Sequence, residues 1–182
     1  AIVVDNLVHQ KLIPPMIHVL TAPGTGPAGP DGKRTPMRGV QYSTVSDRYG
    51  RYLLEEILPE VAKSYKLRED GYSRGLGGLS GGGIAAFNTA WHFPDQFSRV
   101  YSHVGAFVAS TRIPSQNGEG GHMYPVKVRR EPRKNLRVWL SSGTYDYENE
   151  PGSFALQNIH LANSLKLSGY DFHFRFGEAM HS

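Results

Sequence analysis

The 182-residue sequence has no cysteine, which excludes disulfides and thiolate-held metals and leaves the redox compartment unmarked. No apolar run approaches the length of a bilayer crossing, so no membrane partner is expected. The first residues, Ala1-Ile2-Val3-Val4-Asp5, lack the basic segment, hydrophobic stretch and small-residue cleavage site of a secretory leader. No G-K-[ST] follows a glycine run and no H-E-x-x-H occurs, so neither a phosphate-cradling loop nor a helical metal site is expected. There is no internal repeat. The net charge of +4 is modest, and much of the basic excess lies between Lys127 and Arg137. Pro132 interrupts that run and no aromatic is interleaved to stack on bases, so it reads as a solvated loop and no nucleic-acid partner is expected.

What is present suits one globular α/β domain over residues 1–182, because strand-like and helix-like segments alternate and no linker-like stretch divides them. Val3 to Gln10 reads as a short helix stopped by Pro14-Pro15, and Met16 to Leu20 as a buried strand. The Gly/Pro-rich stretch from Ala22 to Arg38 reads as a long loop. From Thr44, the residues Val45, Tyr49, Leu53, Ile57, Val61 and Tyr65 line one helix face, with Thr44 and Asp47 placed as a capping pair and Pro59 expected to kink the last turn. Further strands are expected at Ser73–Leu79, Arg99–Val104, Leu136–Leu140 and Tyr170–Phe176. A helix is expected from Ser153 to Ser168, with Ala155, Ile159, Ala162 and Leu165 on one face and Gly169 as its stop.

The most specific chemistry is Gly78-Leu79-Ser80-Gly81-Gly82, a G-x-S-x-G run between a strand and the helix-compatible Ile84-Ala85-Ala86-Phe87. That context is the nucleophile elbow of an α/β-hydrolase, a strained turn that exposes a serine hydroxyl to a base and a substrate. Gly78 and Gly82 are expected at the two positions where a Cβ would crowd the turn, and the following helix turns its N-terminal N–H groups toward a developing oxyanion. The same glycines satisfy a loose dinucleotide fingerprint, Gly81-x-Gly83-x-x-Ala86, but the next strand ends in Gly105-Ala106-Phe107 with no carboxylate for a ribose.

In such folds the partners follow in the order serine, acid, histidine, each just past a strand. Asp146 follows the strand at Leu136–Leu140 and His181 follows the one at Tyr170–Phe176, which makes Ser80, Asp146 and His181 the candidate triad. Glu148 and Glu150 are alternative acids in the same loop. His103 precedes the acid, His92 sits at a helix end where it can cap carbonyls, and His18, His160 and His173 read as structural.

With these residues in view, the segments "VVDNLVHQKLIPPMIHVL", "DRYGRYLLEEILPEV", "GLSGGGIAAFNTAWHFPDQFSRVYSHVGAF", "GGHMYP", "LRVWLSSGTYDYENEPG" and "GYDFHFRFGEAMHS" resemble the putative-esterase family of α/β-hydrolases, the enterochelin esterase-like enzymes and feruloyl or acetylxylan esterases. The resemblance implies a serine esterase acting on small acyl or aryl esters through an acyl-enzyme. It assigns Ser80 as nucleophile, Asp146 as acid, His181 as base and the N–H of Gly81 as one oxyanion donor, and it implies no cofactor. Three departures stand out. The family's Arg-x-x-Glu pair is here Arg38 followed by Gln41; members continue past the histidine; and members begin with strands that precede Ala1, one of which lies between the equivalents of Met16–Leu20 and Ser73–Leu79. The sequence therefore reads as a central portion of such an enzyme, its sheet completed by an upstream segment or another chain. A non-catalytic binding module and an acyltransferase are the readings that compete with hydrolysis.

Overall fold

The computed structural model describes residues 2–109 and 120–182. Four of its segments pair side by side in parallel, β3 (Gly75–Leu79), β4 (Arg99–His103), β5 (Arg137–Tyr145) and β8 (Asp171–Met180), in the order β3-β4-β5-β8, the glycine-rich β3 being held by its pairing rather than by strand preference. Between them run α4 (Gly81–His92), α5 (Tyr124–Arg130) and α6 (Phe154–Leu167), the crossovers that a parallel sheet requires. Smaller elements are α1 (Ile2–His9), a hairpin β1 (Thr25–Ala28) with β2 (Arg34–Pro36), and a second hairpin β6 (Glu148–Asn149) with β7 (Gly152–Ser153). The helical stretch Arg48–Ala62 is built from α2 (Arg48–Tyr52), a π-helical segment (Leu53–Ile57) and α3 (Leu58–Ala62).

The core lies on one face of the sheet. Val100 and Ser102 of β4 and Val138, Leu140 and Ser142 of β5 are buried beneath α4 and α6. Because the helix α4 is enclosed, its residues Ile84, Phe87 and Trp91 are all buried, and Phe87 packs edge-on against Phe107 and Tyr124. Side chains alternate across a strand, so the opposite face carries the register row Gly77, Tyr101, Trp139 and His173. Tyr101 is 48% and Trp139 42% exposed there.

Several expectations need correction. Met16–Leu20 forms no strand and is exposed throughout. An apolar segment becomes a strand only where a neighbouring edge accepts its backbone, and among the described residues none pairs with it. The stretch from Ala22 to Arg38 contains the β1–β2 hairpin. The long helix starts at Arg48, not Thr44, and Asp47 makes no side-chain cap because its own backbone is already helical (φ −80°, ψ −10°), whereas a capping residue needs extended geometry. Pro59 stands at the start of α3, directly after the π-helical segment, so the helical register changes just before it, where its missing N–H cannot continue the bonding. The helix α6 begins as expected, with Ser153 Oγ accepting the Leu156 N–H, and Gly169 follows its end at φ +68°. Of its expected face Ala162 and Leu165 are buried while Ala155 and Ile159 are half-buried, and Phe154, Asn158, Leu161 and Ser164 are buried beside them, Asn158 being held there by donating to the carbonyls of Gly105 and Phe154. The first basic residues of the 127–137 run lie on α5, not in a loop.

Candidate active site

Ser80 sits between β3 and α4 at φ +58° and ψ −118°, a conformation that a residue with a Cβ adopts only when its surroundings enforce it. The enforcement is visible in the backbone. The Ser80 N–H donates to the His103 carbonyl at 2.9 Å, and the Ser80 carbonyl accepts from Gly83 at 2.9 Å and Ala106 at 3.1 Å. A Cβ on Gly78 would stand 2.3 Å from the carbonyl carbon of Gly82, so the turn closes only with glycine at 78. The expected crowding at Gly82 itself is not found, since a Cβ there meets nothing within 4 Å. Gly81 and Gly82 open α4, and their N–H groups have no acceptor among the described residues, as the first donors of a helix require.

Asp146 and His181 follow β5 and β8, whose C-termini lie at the same end of the parallel sheet as that of β3, which Ser80 follows. The His181 Nδ1 lies 2.5 Å from Asp146 Oδ1. The Asp146 side chain is 0% and the His181 side chain 7% exposed, so the terminal position of the histidine does not leave it frayed. Asp146 is held in turn by its Oδ2 accepting from Ser142 Oγ–H at 2.6 Å and its Oδ1 accepting from the Tyr147 N–H at 2.8 Å. Tyr147 stacks on the imidazole with ring centres 3.9 Å apart, and Phe154 meets it edge-on at 5.1 Å. With Nδ1–H committed to the carboxylate, Nε2 is the nitrogen left to accept a proton. Glu148 and Glu150, the alternative acids, are exposed in and beside the β6–β7 hairpin.

The histidine reaches this position through a bulge in β8. Gly143 pairs with Gly177 but Tyr145 pairs with Met180, so β8 carries one extra residue, and a Cβ on Gly143 would come within 2.3 Å of the Ala179 carbonyl oxygen. The strand expected to stop at Gly177 therefore continues to Met180. No hydrogen bond joins Ser80 Oγ to His181 in this structure; the structure brings Asp146 and His181 into contact and sets Ser80 at the same, C-terminal end of the parallel strands.

Arg38 was notable in the sequence only as half of an incomplete pair. Its guanidinium lies where a Cβ on Gly81 would stand 3.0 Å from Nη2, beside the first turn of α4. It packs over the Tyr42 ring at 5.9 Å and has no carboxylate partner among the described residues. Gln41 holds the Gly24 N–H at 2.8 Å instead of an arginine. Burial, and then the hydrogen bond to Tyr49, push the Tyr42 phenol well above its usual range. No group of three or more histidine, aspartate or glutamate residues able to hold a metal occurs among the described residues.

The family model described as Putative esterase matches residues 5–182. The chain belongs to this esterase family. Among solved structures it is similar to the enterobactin esterase of Shigella flexneri, crystallised with 2,3-dihydroxy-N-benzoyl-glycine, at 20% identity and a TM-score of 0.72, covering 99% of this chain and 43% of that one. It is also similar to a ferulic acid esterase (20%, TM-score 0.58, 74% of this chain and 54% of that one) and to the S-formylglutathione hydrolase of Staphylococcus aureus (15%, TM-score 0.58, 79% and 62%). These likenesses place the parallel sheet and its helices in the α/β-hydrolase fold. The chain spans less than half the length of the enterobactin esterase it resembles. No curated protein matches it.

Proposed function

We propose that this esterase-family chain is a serine carboxylic ester hydrolase acting on small acyl or aryl esters, carried on a sugar-like or siderophore-like scaffold. The observation that carries the reading is the buried Asp146–His181 pair at the same, C-terminal end of the sheet as a serine in a strained strand-to-helix turn. Ser80 Oγ attacks the acyl carbon while His181 Nε2 takes its proton, and Asp146 stabilises the imidazolium that results. The oxygen that gains negative charge is met by the N–H of Gly81 at the head of α4. Collapse expels the alcohol, which receives the proton from His181, and water repeats the sequence to release the acid. No cofactor enters these steps. The enterobactin and ferulic acid esterases among the similar structures support the choice of aryl esters.

The test is covalent titration with a fluorophosphonate. Stoichiometric labelling on Ser80, lost in Ser80→Ala along with about 10⁶ in kcat toward a p-nitrophenyl ester, is the expected result. A Ser80→Ala enzyme as fast as the parent would end this reading.

A completed sheet is part of the same proposal. One edge of β3 has no partner among the described residues, and the face bearing Tyr101 and Trp139 is uncovered, although all-parallel sheets are ordinarily enclosed on both faces. A further strand, from an upstream segment or another chain, fills that edge and brings the loop with the second oxyanion donor.

A further inference from the structure

The triad roles leave His103 unused, yet it touches both halves of the site. Its main-chain carbonyl accepts the Ser80 N–H at 2.9 Å. Its side chain bridges in the other direction: Nδ1 lies 2.7 Å from Ser141 Oγ on β5, and Nε2 lies 3.0 Å from the main-chain oxygen of Ser182, the residue after His181. A main-chain oxygen only accepts, so Nε2 carries the proton, and in the neutral ring Nδ1 accepts from the Ser141 hydroxyl. We propose that His103 is a positioning residue that fixes the separation of Ser80 and His181 by tying the serine turn to the histidine loop.

Two further observations support this. The residue after His103, Val104, is fully buried at φ +43°, where a β-branched side chain is strained, and its N–H donates to the Ser141 carbonyl at 2.7 Å. Two strained residues, Ser80 and Val104, thus flank the carbonyl of one residue, as expected where a fold holds a fixed geometry for chemistry. The His181 loop, by contrast, leaves the sheet past a bulge, and Ser182 is exposed. Its imidazole is fixed by Asp146, Tyr147 and Phe154; its main chain beyond the ring is held from the serine side by His103. Catalysis needs Ser80 Oγ and His181 Nε2 to come within hydrogen-bond reach, so a loosened loop should slow chemistry and leave substrate binding alone.

The proposal rests on the serine-hydrolase reading, and the experiment separates the two. In the full chain, His103→Ala is expected to lower kcat by about 10²-fold with KM little changed, because a small misplacement of the base costs that much, and to slow fluorophosphonate labelling in parallel. His103→Gln, whose amide N–H can still donate to the Ser182 carbonyl, should recover most of both rates. Ser141→Ala, which frees the ring to adopt the wrong tautomer part of the time, should give a smaller loss. If the parent is not labelled at all, the hydrolase reading fails. If the parent is labelled and the His103 variants react as fast, or if only their thermal midpoints fall, the positioning role is overturned. Should His103→Ala not fold, the Gln and Ser141 variants decide by the same two rates.

Discussion

The Nδ1 of His181 stands 2.5 Å from the Oδ1 of Asp146, and the carboxylate that receives it is completely buried. Burial alone would penalise that charge, but the Ser142 hydroxyl and the Tyr147 N–H both donate to it and hold its orientation. Asp146→Asn should therefore lower turnover by about 10⁴ without unfolding the protein, because the amide selects the wrong imidazole tautomer while filling the same space. Ser142→Ala removes one donor from the same carboxylate and should cost less. Glu148→Gln, on the exposed hairpin, should leave rates unchanged. Steady-state kinetics with circular dichroism on each variant checks the ranking, and a Glu148 effect larger than that of Asp146 would move the acid.

The serine turn makes a steric prediction that separates two neighbouring glycines. Gly78→Ala forces a Cβ to within 2.3 Å of the Gly82 backbone and should abolish labelling of Ser80 or folding itself. Gly82→Ala enters open space on a helical residue and should be tolerated, with stability unchanged or raised by up to about 1 kcal/mol. Chemical denaturation of both variants is the measurement. Equal damage from the two would mean that the turn closes in some other way.

How much of this was legible beforehand varies with the kind of constraint. Ser80 could be read because its turn imposes glycine within two residues, a local demand written locally. Asp146 and His181 could be ordered along the chain, but that Asp146 meets the histidine while Glu148 and Glu150 are carried into solvent on the β6–β7 hairpin is a tertiary fact. Ser142 and Tyr147 lie close to Asp146 in the chain but carry no motif that marks them, and the contacts of Tyr147 and Phe154 with His181, and of His103 with Ser141 and Ser182, join residues distant in sequence. Met16–Leu20 misled for the complementary reason: apolar composition reports that a segment can be buried, and the presence of an edge to bury it against is a tertiary fact. Asn158 has no place in an apolar face read from the sequence, because its burial rests on the Gly105 carbonyl, a partner from another part of the chain.

Alkaline stability follows from the phenols. Burial pushes Tyr124 far up, with nearby Glu131 adding to the effect, and burial likewise raises Tyr170. An unfolded tyrosine ionises near pH 10, so below that value both states are protonated and the favourable term is fully present. Above it the unfolded chain loses protons that the folded chain keeps, and stability falls by up to about 1.4 kcal/mol per pH unit for each such phenol. Unfolding midpoints measured from pH 8 to 12 should turn downward only above about pH 10, and Tyr170→Phe should make that descent shallower. Phenolate absorbance rising near pH 10 to the full tyrosine content, with the fold intact, would contradict it.

The open edge of β3 leads to the last prediction. Backbone groups along Gly75–Leu79 that do not face β4 have no partner among the described residues, and the exposed row of Tyr101 and Trp139 lies on the same sheet. Such an edge templates pairing with any available strand. The 182 residues prepared alone should self-associate in light scattering, show fast hydrogen exchange at the outward amides of β3, and hydrolyse esters weakly, since under the proposal the further strand's loop carries an oxyanion donor worth about 10²–10³ in kcat. Trp139→Lys, placed on the uncovered face, should reduce the association without slowing the residual hydrolysis. Adding the proposed further strand, on the same chain or as a separate peptide, should protect those amides and raise the rate together. A monodisperse monomer with kcat/KM in the ordinary enzyme range of about 10⁴–10⁸ M⁻¹s⁻¹ would show instead that the sheet needs no further strand and that the donors already present at Gly81 and its neighbours suffice.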